Sequence, residues 1–172
     1  ADDYLPDKEI FCKYINLAEQ TDADIVVSNY ARLWKDKILP ATKHQSFALC
    51  SPSSEEFRFQ GFFSVGTLSY AWGKLYRREF LRNHQIYFAD LSYAEDKLFN
   101  MQCYICDAKY AFLEDIGYIY RKNDMSVSWQ YRPDSVENWF KLVYELKSWI
   151  EKKDKDPKEY TSLIGYLLIF AA

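Results

Sequence analysis

Two pairs of adjacent carboxylates have the residue types and positions to do chemistry: Asp2-Asp3 at the start of the chain and Glu95-Asp96 near its middle. Adjacent carboxylates on a loop are good ligands for a hard divalent cation, and such a cation can itself bind a diphosphate. A carboxylate at the start of a helix is well placed as a general base, because its geometry is set in advance. Both pairs also have a structural interpretation, since acidic side chains near a helix N-terminus interact favourably with the helix dipole.

The second pair opens a segment with the spacing of a helix. Ser92 and Glu95 match the capping box, in which two side chains satisfy backbone donors at the helix start. This arrangement predicts that Asp96 lies in the first helical turn. Apolar residues follow at intervals of four, three and four and predict the buried helix face, which consists of Ala94, Leu98, Met101 and Ile105.

Helices and strands alternate along the chain, which is typical of an α/β sheet. A helix after Pro6 is followed by a short buried strand at 25–27, and we expect a hairpin within 31–50. The other predicted elements are a strand or tight ledge at 70–76, a short helix at 77–83, two strands at 109–113 and 118–121 joined across 115–117, a long amphipathic helix from Pro133 and a last helix starting near Pro157.

The composition bounds the class of protein. A length of 172 residues corresponds to about one domain of roughly 150 residues. The net charge of −3 argues against a general nucleic-acid binder, and five glycines leave no glycine-rich phosphate loop. Aromatic residues make up 19% of the chain, which fits a thick core but also suits platforms for sugar rings or bases.

The cysteines and the apolar segments indicate the compartment. Cys103 and Cys106 form a Cys-x-x-Cys pair inside a helical pattern with no nearby histidine, so we interpret them as core residues of a protein in a reducing compartment. The apolar stretch 163–172 is shorter than the ~20 residues that cross a bilayer. We therefore expect a cytoplasmic location, with the parent protein held peripherally at the inner face of the membrane.

Five short segments follow one another in an informative order. They are Asp-Asp-Tyr-Leu (2–5), Ala-Asp-Ile-Val-Val-Ser-Asn-Tyr (23–30), Trp-Gly-Lys-Leu-Tyr-Arg-Arg-Glu-Phe-Leu (72–81), Glu-Asp-Lys-Leu-Phe-Asn (95–100) and Tyr-Arg-Lys-Asn-Asp-Met-Ser-Val-Ser (120–128). Together they resemble the later half of family 2 glycosyltransferases of the GT-A fold. The resemblance covers roughly residues 1–140.

The resemblance implies a fold and a division of the chain. The fold is α/β, the C-terminal portion of a GT-A-like mixed sheet flanked by helices. Residues 1–132 would form the acceptor-side part of the glycosyltransferase domain, and residues 133–172 a truncated helical extension. The family's N-terminal half, which binds the nucleotide, would lie upstream of Ala1, so we expect the chain as given to be inactive by itself.

The resemblance also implies catalytic and metal-binding roles. In the family a D-x-D element holds the metal and the diphosphate of the sugar nucleotide. Residues 1–3 resemble the last part of this element, with Asp2 as its second acid and Asp3 beside it, and the first acid would lie upstream. Asp96 matches the aspartate of the family's Glu-Asp motif, which takes the proton from the attacking hydroxyl.

Binding residues are implied on both sides of the reacting carbon. They are Trp72, Lys74 and Glu95 for the acceptor, and Tyr120, Arg121 and Ser126 for the diphosphate. Arginine suits a diphosphate because its planar fork offers paired donors. A core position for Trp72 and a solvated surface position for Lys74 remain open as alternatives.

The function implied by the resemblance is an inverting, hexosyltransferase-type transfer in a bacterial protein. A sugar would move from a nucleotide-sugar donor to a hydroxyl of a glycan or lipid-linked acceptor, with Mg²⁺ or Mn²⁺ as cofactor, in surface polysaccharide or glycolipid synthesis. The alternative is a non-catalytic carbohydrate- or protein-binding α/β module that uses the aromatic surface. A third interpretation is self-association into a homo-oligomer through an exposed sheet edge, because an unpaired strand is a template for pairing.

Overall fold

The computed structural model describes residues 3–42, 47–50, 62, 65–122 and 133–171. In this part of the chain five strands form one mixed sheet. They are β1 (Ile25–Trp34), β2 (Lys37–Pro40), β3 (Phe47–Cys50), β4 (Lys74–Tyr76) and β5 (Tyr110–Arg121).

The strand order is β2–β1–β5–β3, with β4 paired to β1. β1 and β5 run parallel at the centre, and β2, β3 and β4 each pair antiparallel to one of them. Helices accompany the sheet: α1 (Ile10–Thr21), α2 (Val65–Leu68), α3 (Arg78–His84), α4 (Glu95–Ile105), α5 (Ser135–Lys152), a 3-10 helix (Pro157–Tyr160) and α6 (Thr161–Ala171). The predicted α/β fold class, a mixed sheet flanked by helices, is confirmed.

The central strand β1 is buried over its first seven residues, Ile25–Ala31. A strand covered on both faces needs an almost continuous apolar run, and this segment begins Ile-Val-Val. Ile25 and Val27 pack in the cluster formed by α4, α5 and α6, whereas Val26 packs against α1. The two layers of helices therefore fix β1, and β1 fixes its parallel neighbour.

The prediction of two strands joined by a turn at 115–117 is wrong, because β5 is one continuous strand. Its register with β1 shifts at Ser28/Asn29, and the Asn29 side-chain amide donates to the Glu114 carbonyl at 2.9 Å. Gly117 lies against Ser28 and Tyr14, where it leaves room for their side chains. The glycine therefore serves close packing at a bulge rather than a chain reversal.

The predicted capping box is also wrong. The residue before α4 is Ala94, in a left-handed conformation with φ 62°, and no side chain caps the helix. Ser92 is instead directed to the start of α5, with its hydroxyl 2.8 Å from Asn138 Oδ1. The tertiary contact with Asn138 therefore replaces the hydrogen bond that Ser92 would make in a capping box. The predicted buried face of α4 is otherwise confirmed, since Leu98, Met101 and Ile105 are buried.

The burial of side chains on the long helix α5 differs in part from the predicted apolar side. The spacing predicts one apolar side on α5; Trp139 and Leu146 are buried, but Phe140 is 56% exposed.

Cys103 is buried in the core, and burial raises the pKa of its thiol, as is typical of a structural cysteine. Within the described ranges, the helices are too short or too polar to cross a membrane.

Candidate active site

The candidate site lies towards the carboxyl ends of the parallel strands β1 and β5. Tyr30 is opposite Tyr118 in the register, and Arg32 is opposite Tyr120. Because alternate residues of a strand share a face, these four side chains lie on one face of the sheet. The carboxyl edge of parallel strands is where ligands bind in open α/β sheets.

Trp72 stands at the centre of an aromatic cluster. Its indole stacks on the rings of Tyr70, Tyr118 and Tyr120, with centroid distances of 4.2, 4.6 and 5.7 Å. Tyr30 meets the indole edge-on at 4.9 Å. We call Tyr30, Tyr70, Trp72, Tyr118 and Tyr120 the aromatic cluster. Trp72 is only partly buried, so the cluster joins the core to the surface instead of lying wholly inside.

Asp96 lies in the first turn of α4, as predicted, and faces the segment that carries Trp72. Its Oδ2 atom accepts a hydrogen bond from the backbone N–H of Ala71 at 3.0 Å. One helical turn further on, Asn100 Nδ2 donates to the carbonyls of Leu68 and Tyr70 at 2.9 and 3.0 Å. Helix α4 therefore holds the backbone before Trp72 through two side chains one turn apart.

Asp3, near the start of the chain, contacts the same aromatic cluster. Its Oδ2 atom accepts a hydrogen bond from the Tyr118 hydroxyl at 3.0 Å, and its Oδ1 atom accepts one from the Arg121 backbone N–H at 2.8 Å. An isolated antiparallel bridge between Tyr4 and Ile119 fixes the adjoining backbone. The chain start is thereby anchored to the carboxyl end of β5.

The Tyr118 hydroxyl is partly buried beside negative charge. Burial raises the pKa of Tyr118, and the Asp3 hydrogen bond and charge raise it further. The Asp96 charge makes a smaller contribution to this pKa in the same direction. Asp3 and Trp72 contact Tyr118 directly, and Asp96 is linked to them through the Ala71 N–H beside Trp72, although the three residues are far apart in sequence.

Lys74 does not extend along the surface. It is partly buried, and its ammonium donates to the Tyr70 carbonyl within the same loop. Burial lowers the pKa of Lys74 to about 7, and the nearby Asp96 carboxylate opposes that change. The side chain therefore lies behind the Trp72 segment, close to Asp96.

The remaining sequence-predicted residues have different placements. Glu95 is the first residue of α4 and is partly exposed, and Tyr120 belongs to the aromatic cluster. Arg121 is exposed and contributes its backbone N–H to Asp3. Asp2 and Ser126 lie outside the described residues.

Arg32 is a candidate binding residue that the sequence reasoning missed. Its Nη2 atom donates to the Tyr30 hydroxyl at 3.3 Å, and the guanidinium lies 5.9 Å from the Tyr30 ring centroid. Partial burial lowers the pKa of Arg32, but the Tyr30 hydrogen bond and the neighbouring phenols of Tyr70 and Tyr120 raise it by more. A period-two pattern continued past Tyr30 would have placed Arg32 on this face.

The acidic residues fit a divalent metal only in part. Across the described residues, no group of three or more His, Cys, Asp or Glu side chains could hold a metal ion. Mg²⁺ in nucleotide sites is commonly held by one or two carboxylates together with substrate phosphates. Asp3 fits that pattern, because each of its oxygens accepts one hydrogen bond and retains a lone pair.

The sequence is similar to that of a bacterial glycosyltransferase, although no protein-family model matches it. The uncharacterized glycosyltransferase EpsJ of Bacillus subtilis (strain 168) is 28% identical over 150 residues. The match covers 85% of this chain and 43% of EpsJ. It supports a glycosyltransferase family for the chain.

The fold is similar to that of S. aureus TarS. TarS 1–349 in complex with UDP-GlcNAc superimposes with a TM-score of 0.71 at 20% identity, over 97% of this chain and 45% of TarS 1–349. The complex with UDP gives a TM-score of 0.66 at 18% identity. The chain thus spans less than half the length of these relatives.

Proposed function

We propose that this chain is the acceptor-side part of a longer, inverting glycosyltransferase of the GT-A type. The donor would be a nucleotide sugar, and the acceptor a hydroxyl of a glycan or lipid-linked molecule in surface polysaccharide or glycolipid synthesis. The similarity to EpsJ supports transfer of a sugar, and the TarS complexes with UDP-GlcNAc and UDP make a uridine nucleotide the first donor to test.

One observation carries the proposal: Asp3 accepts a hydrogen bond from Tyr118, Tyr118 stacks on Trp72, and Asp96 accepts a hydrogen bond from the Ala71 N–H directly before Trp72. An inverting transfer needs a carboxylate on the acceptor side of the anomeric carbon and stabilisation of the departing diphosphate on the other side. Two carboxylates anchored beside one aromatic cluster support this proposal.

Each of the described site residues has a separate role in this proposal. Asp96 takes the proton of the acceptor hydroxyl on Oδ1, because Oδ2 is engaged by the Ala71 N–H. Trp72 is partly exposed and borders the acceptor side, where Tyr70 and Tyr118 hold its indole by stacking. Glu95 lies one residue from Asp96 on the same side. Asp3, with Asp2 next to it in sequence, would hold Mg²⁺ or Mn²⁺. When bound, this metal supplies positive charge that stabilises the leaving diphosphate.

The metal and the donor can be tested together in the longer protein, with the upstream residues restored. We expect UDP release from UDP-GlcNAc in the presence of an acceptor, and a loss of at least about 100-fold when EDTA removes the divalent ion. Adding Mn²⁺ should restore the rate. Turnover that is indifferent to EDTA would contradict the metal role, and absence of turnover with every nucleotide sugar would contradict the proposed reaction.

The alternative, a non-catalytic binding module, makes a different prediction for the same cluster. It requires the 172-residue chain alone to bind free sugar, with an affinity that neither metal nor nucleotide changes. Titration calorimetry of this chain with mono- and disaccharides, with and without Mn²⁺, separates the two functions.

We further predict that Arg32 contributes to binding of the diphosphate. Replacing it with Gln should weaken UDP binding by roughly 10- to 100-fold, because a hydrogen bond to a charged group contributes about 1.5–3 kcal/mol. Calorimetric titration of the longer protein with UDP measures the change. Lys37→Gln, an exposed position on β2, is the matched control and should bind UDP normally. Equal affinities for the two variants would remove Arg32 from the site.

A further inference from the structure

A single peptide group, the one that joins Tyr70 to Ala71, lies between two charged side chains. Its N–H donates to Asp96 Oδ2 at 3.0 Å, and its carbonyl oxygen accepts a hydrogen bond from the Lys74 ammonium. Asn100 Nδ2 donates to the same carbonyl at 3.0 Å. The positive end of the peptide dipole thus faces a carboxylate and the negative end faces a cation, an arrangement that strengthens both hydrogen bonds.

The groups that face this pair come from three elements. Lys74, on β4, faces the Asp96 carboxylate and the Cys103 thiol, which both belong to α4. Asp96 is also close enough to act on Tyr76 of β4, on Lys97 of α4 and on Tyr118 of β5. Lys97 has a separate contact, since its ammonium donates to Ser69 Oγ at 3.0 Å.

We propose that Lys74 is a positioning residue for Asp96 and acts through the Tyr70–Ala71 peptide group. The peptide engages Oδ2 of Asp96, and no other described residue donates a hydrogen bond to that carboxylate. Oδ1 is thereby directed as the oxygen that meets the acceptor hydroxyl; only this consequence rests on the proposed function. We call this arrangement of Lys74, the Tyr70–Ala71 peptide group and Asp96 the clamp. Because Trp72 follows directly in the chain, the clamp also fixes the position of the indole in the aromatic cluster.

The protonation of Lys74 sets the strength of the clamp. A protonated Lys74 polarises the peptide and makes the Ala71 N–H a better donor, which strengthens its hydrogen bond to Asp96 Oδ2. Loss of the proton weakens that polarisation. Since burial lowers the pKa of Lys74 to about 7, the change falls near neutral pH, well below the range of an exposed lysine.

Amide NMR of the 172-residue chain tests the clamp without any activity assay. We expect the Ala71 amide proton to shift between about pH 6 and about pH 8 in the wild type, and Lys74→Met to abolish this step. Lys97→Met is the matched control, because Lys97 faces Asp96 but contacts Ser69 rather than the peptide. The control should retain the step. A wild-type Ala71 amide that does not titrate, or a step that survives in Lys74→Met, would overturn the proposal.

Activity of the longer protein provides the second readout. Lys74→Met should lower kcat by about 100-fold with little change in the acceptor KM, because a misplaced base slows chemistry without weakening binding. Lys74→Arg should recover part of the loss. Unchanged kcat in Lys74→Met, in an enzyme that Asp96→Asn inactivates, would overturn the positioning role. If Asp96→Asn is itself active while the amide step is present, the proposed function fails and the clamp stands.

Discussion

Replacing Asp96 with Asn in the longer protein should lower kcat by about 1,000-fold, the usual contribution of a general base. The substitution keeps the size of the side chain and an oxygen that accepts from the Ala71 N–H, so the segment before Trp72 should stay in place. What is lost is the negative charge and the site for the proton. Steady-state kinetics with a nucleotide sugar and an acceptor measures the change.

Asp107→Asn is the matched control for this experiment. Asp107 follows the other end of the same helix and forms an exposed ion pair with Lys155 at 2.8 Å, which contributes little to stability. The same chemical change there should leave kcat within about twofold of the wild-type value. Near-normal kcat in Asp96→Asn would exclude Asp96 as the base.

Gly117→Ala should destabilise the chain by about 3 kcal/mol. A Cβ atom at this position would lie 2.3 Å from Ser28 Oγ, 2.4 Å from the Tyr14 hydroxyl and 2.7 Å from Ser28 Cβ. These neighbours are buried and bonded to each other, because the Tyr14 hydroxyl donates to Ser28 Oγ at 2.6 Å. The added methyl group must therefore displace α1 or β1. Urea denaturation followed by circular dichroism measures the loss as a lower midpoint.

Gly165→Ala is the matched control for the stability measurement. Among the described residues, apart from the chain neighbours and the backbone of α6 itself, no atom lies within 4 Å of a Cβ at that position, so we expect a gain of about 0.5–1 kcal/mol from the better helix former. Combining Gly117→Ala with Ser28→Ala should recover part of the loss, since Ser28 Oγ is the nearest atom. Equal midpoints for Gly117→Ala and the wild type would contradict the packing described for β5.

Much of the site can be located from the sequence because its residues lie in short, ordered segments. The family resemblance of these segments selects Asp96, in the first turn of α4, and Trp72, beside β4, as candidates. These segments miss Arg32, since the predicted strand ends at Val27 whereas β1 continues to Trp34. The alternation of side chains along that unpredicted part of the strand is what places Arg32 beside Tyr30.

Local motifs fail where a distant element competes for the same atoms. Ser92 has the sequence of a helix cap, but it lies 2.8 Å from Asn138 Oδ1 on a helix more than forty residues later. The sequence predicts two strands joined across 115–117, whereas β5 runs as one strand through Gly117. Its actual neighbours, Ser28 and Tyr14, come from β1 and α1 and leave no local trace.

By itself the sequence determined the α/β class, the helix that carries Asp96 and the identity of both carboxylate pairs. These properties follow from periodicity and residue type, which act over a few residues. Only the tertiary structure decided that Asp3 bonds Tyr118 beside Trp72, that Asp96 holds the Ala71 N–H and that Lys74 faces the peptide behind Trp72. Those contacts depend on the pairing of β5 with β1 and on the packing of α4, and such long-range contacts have no signature within any single segment.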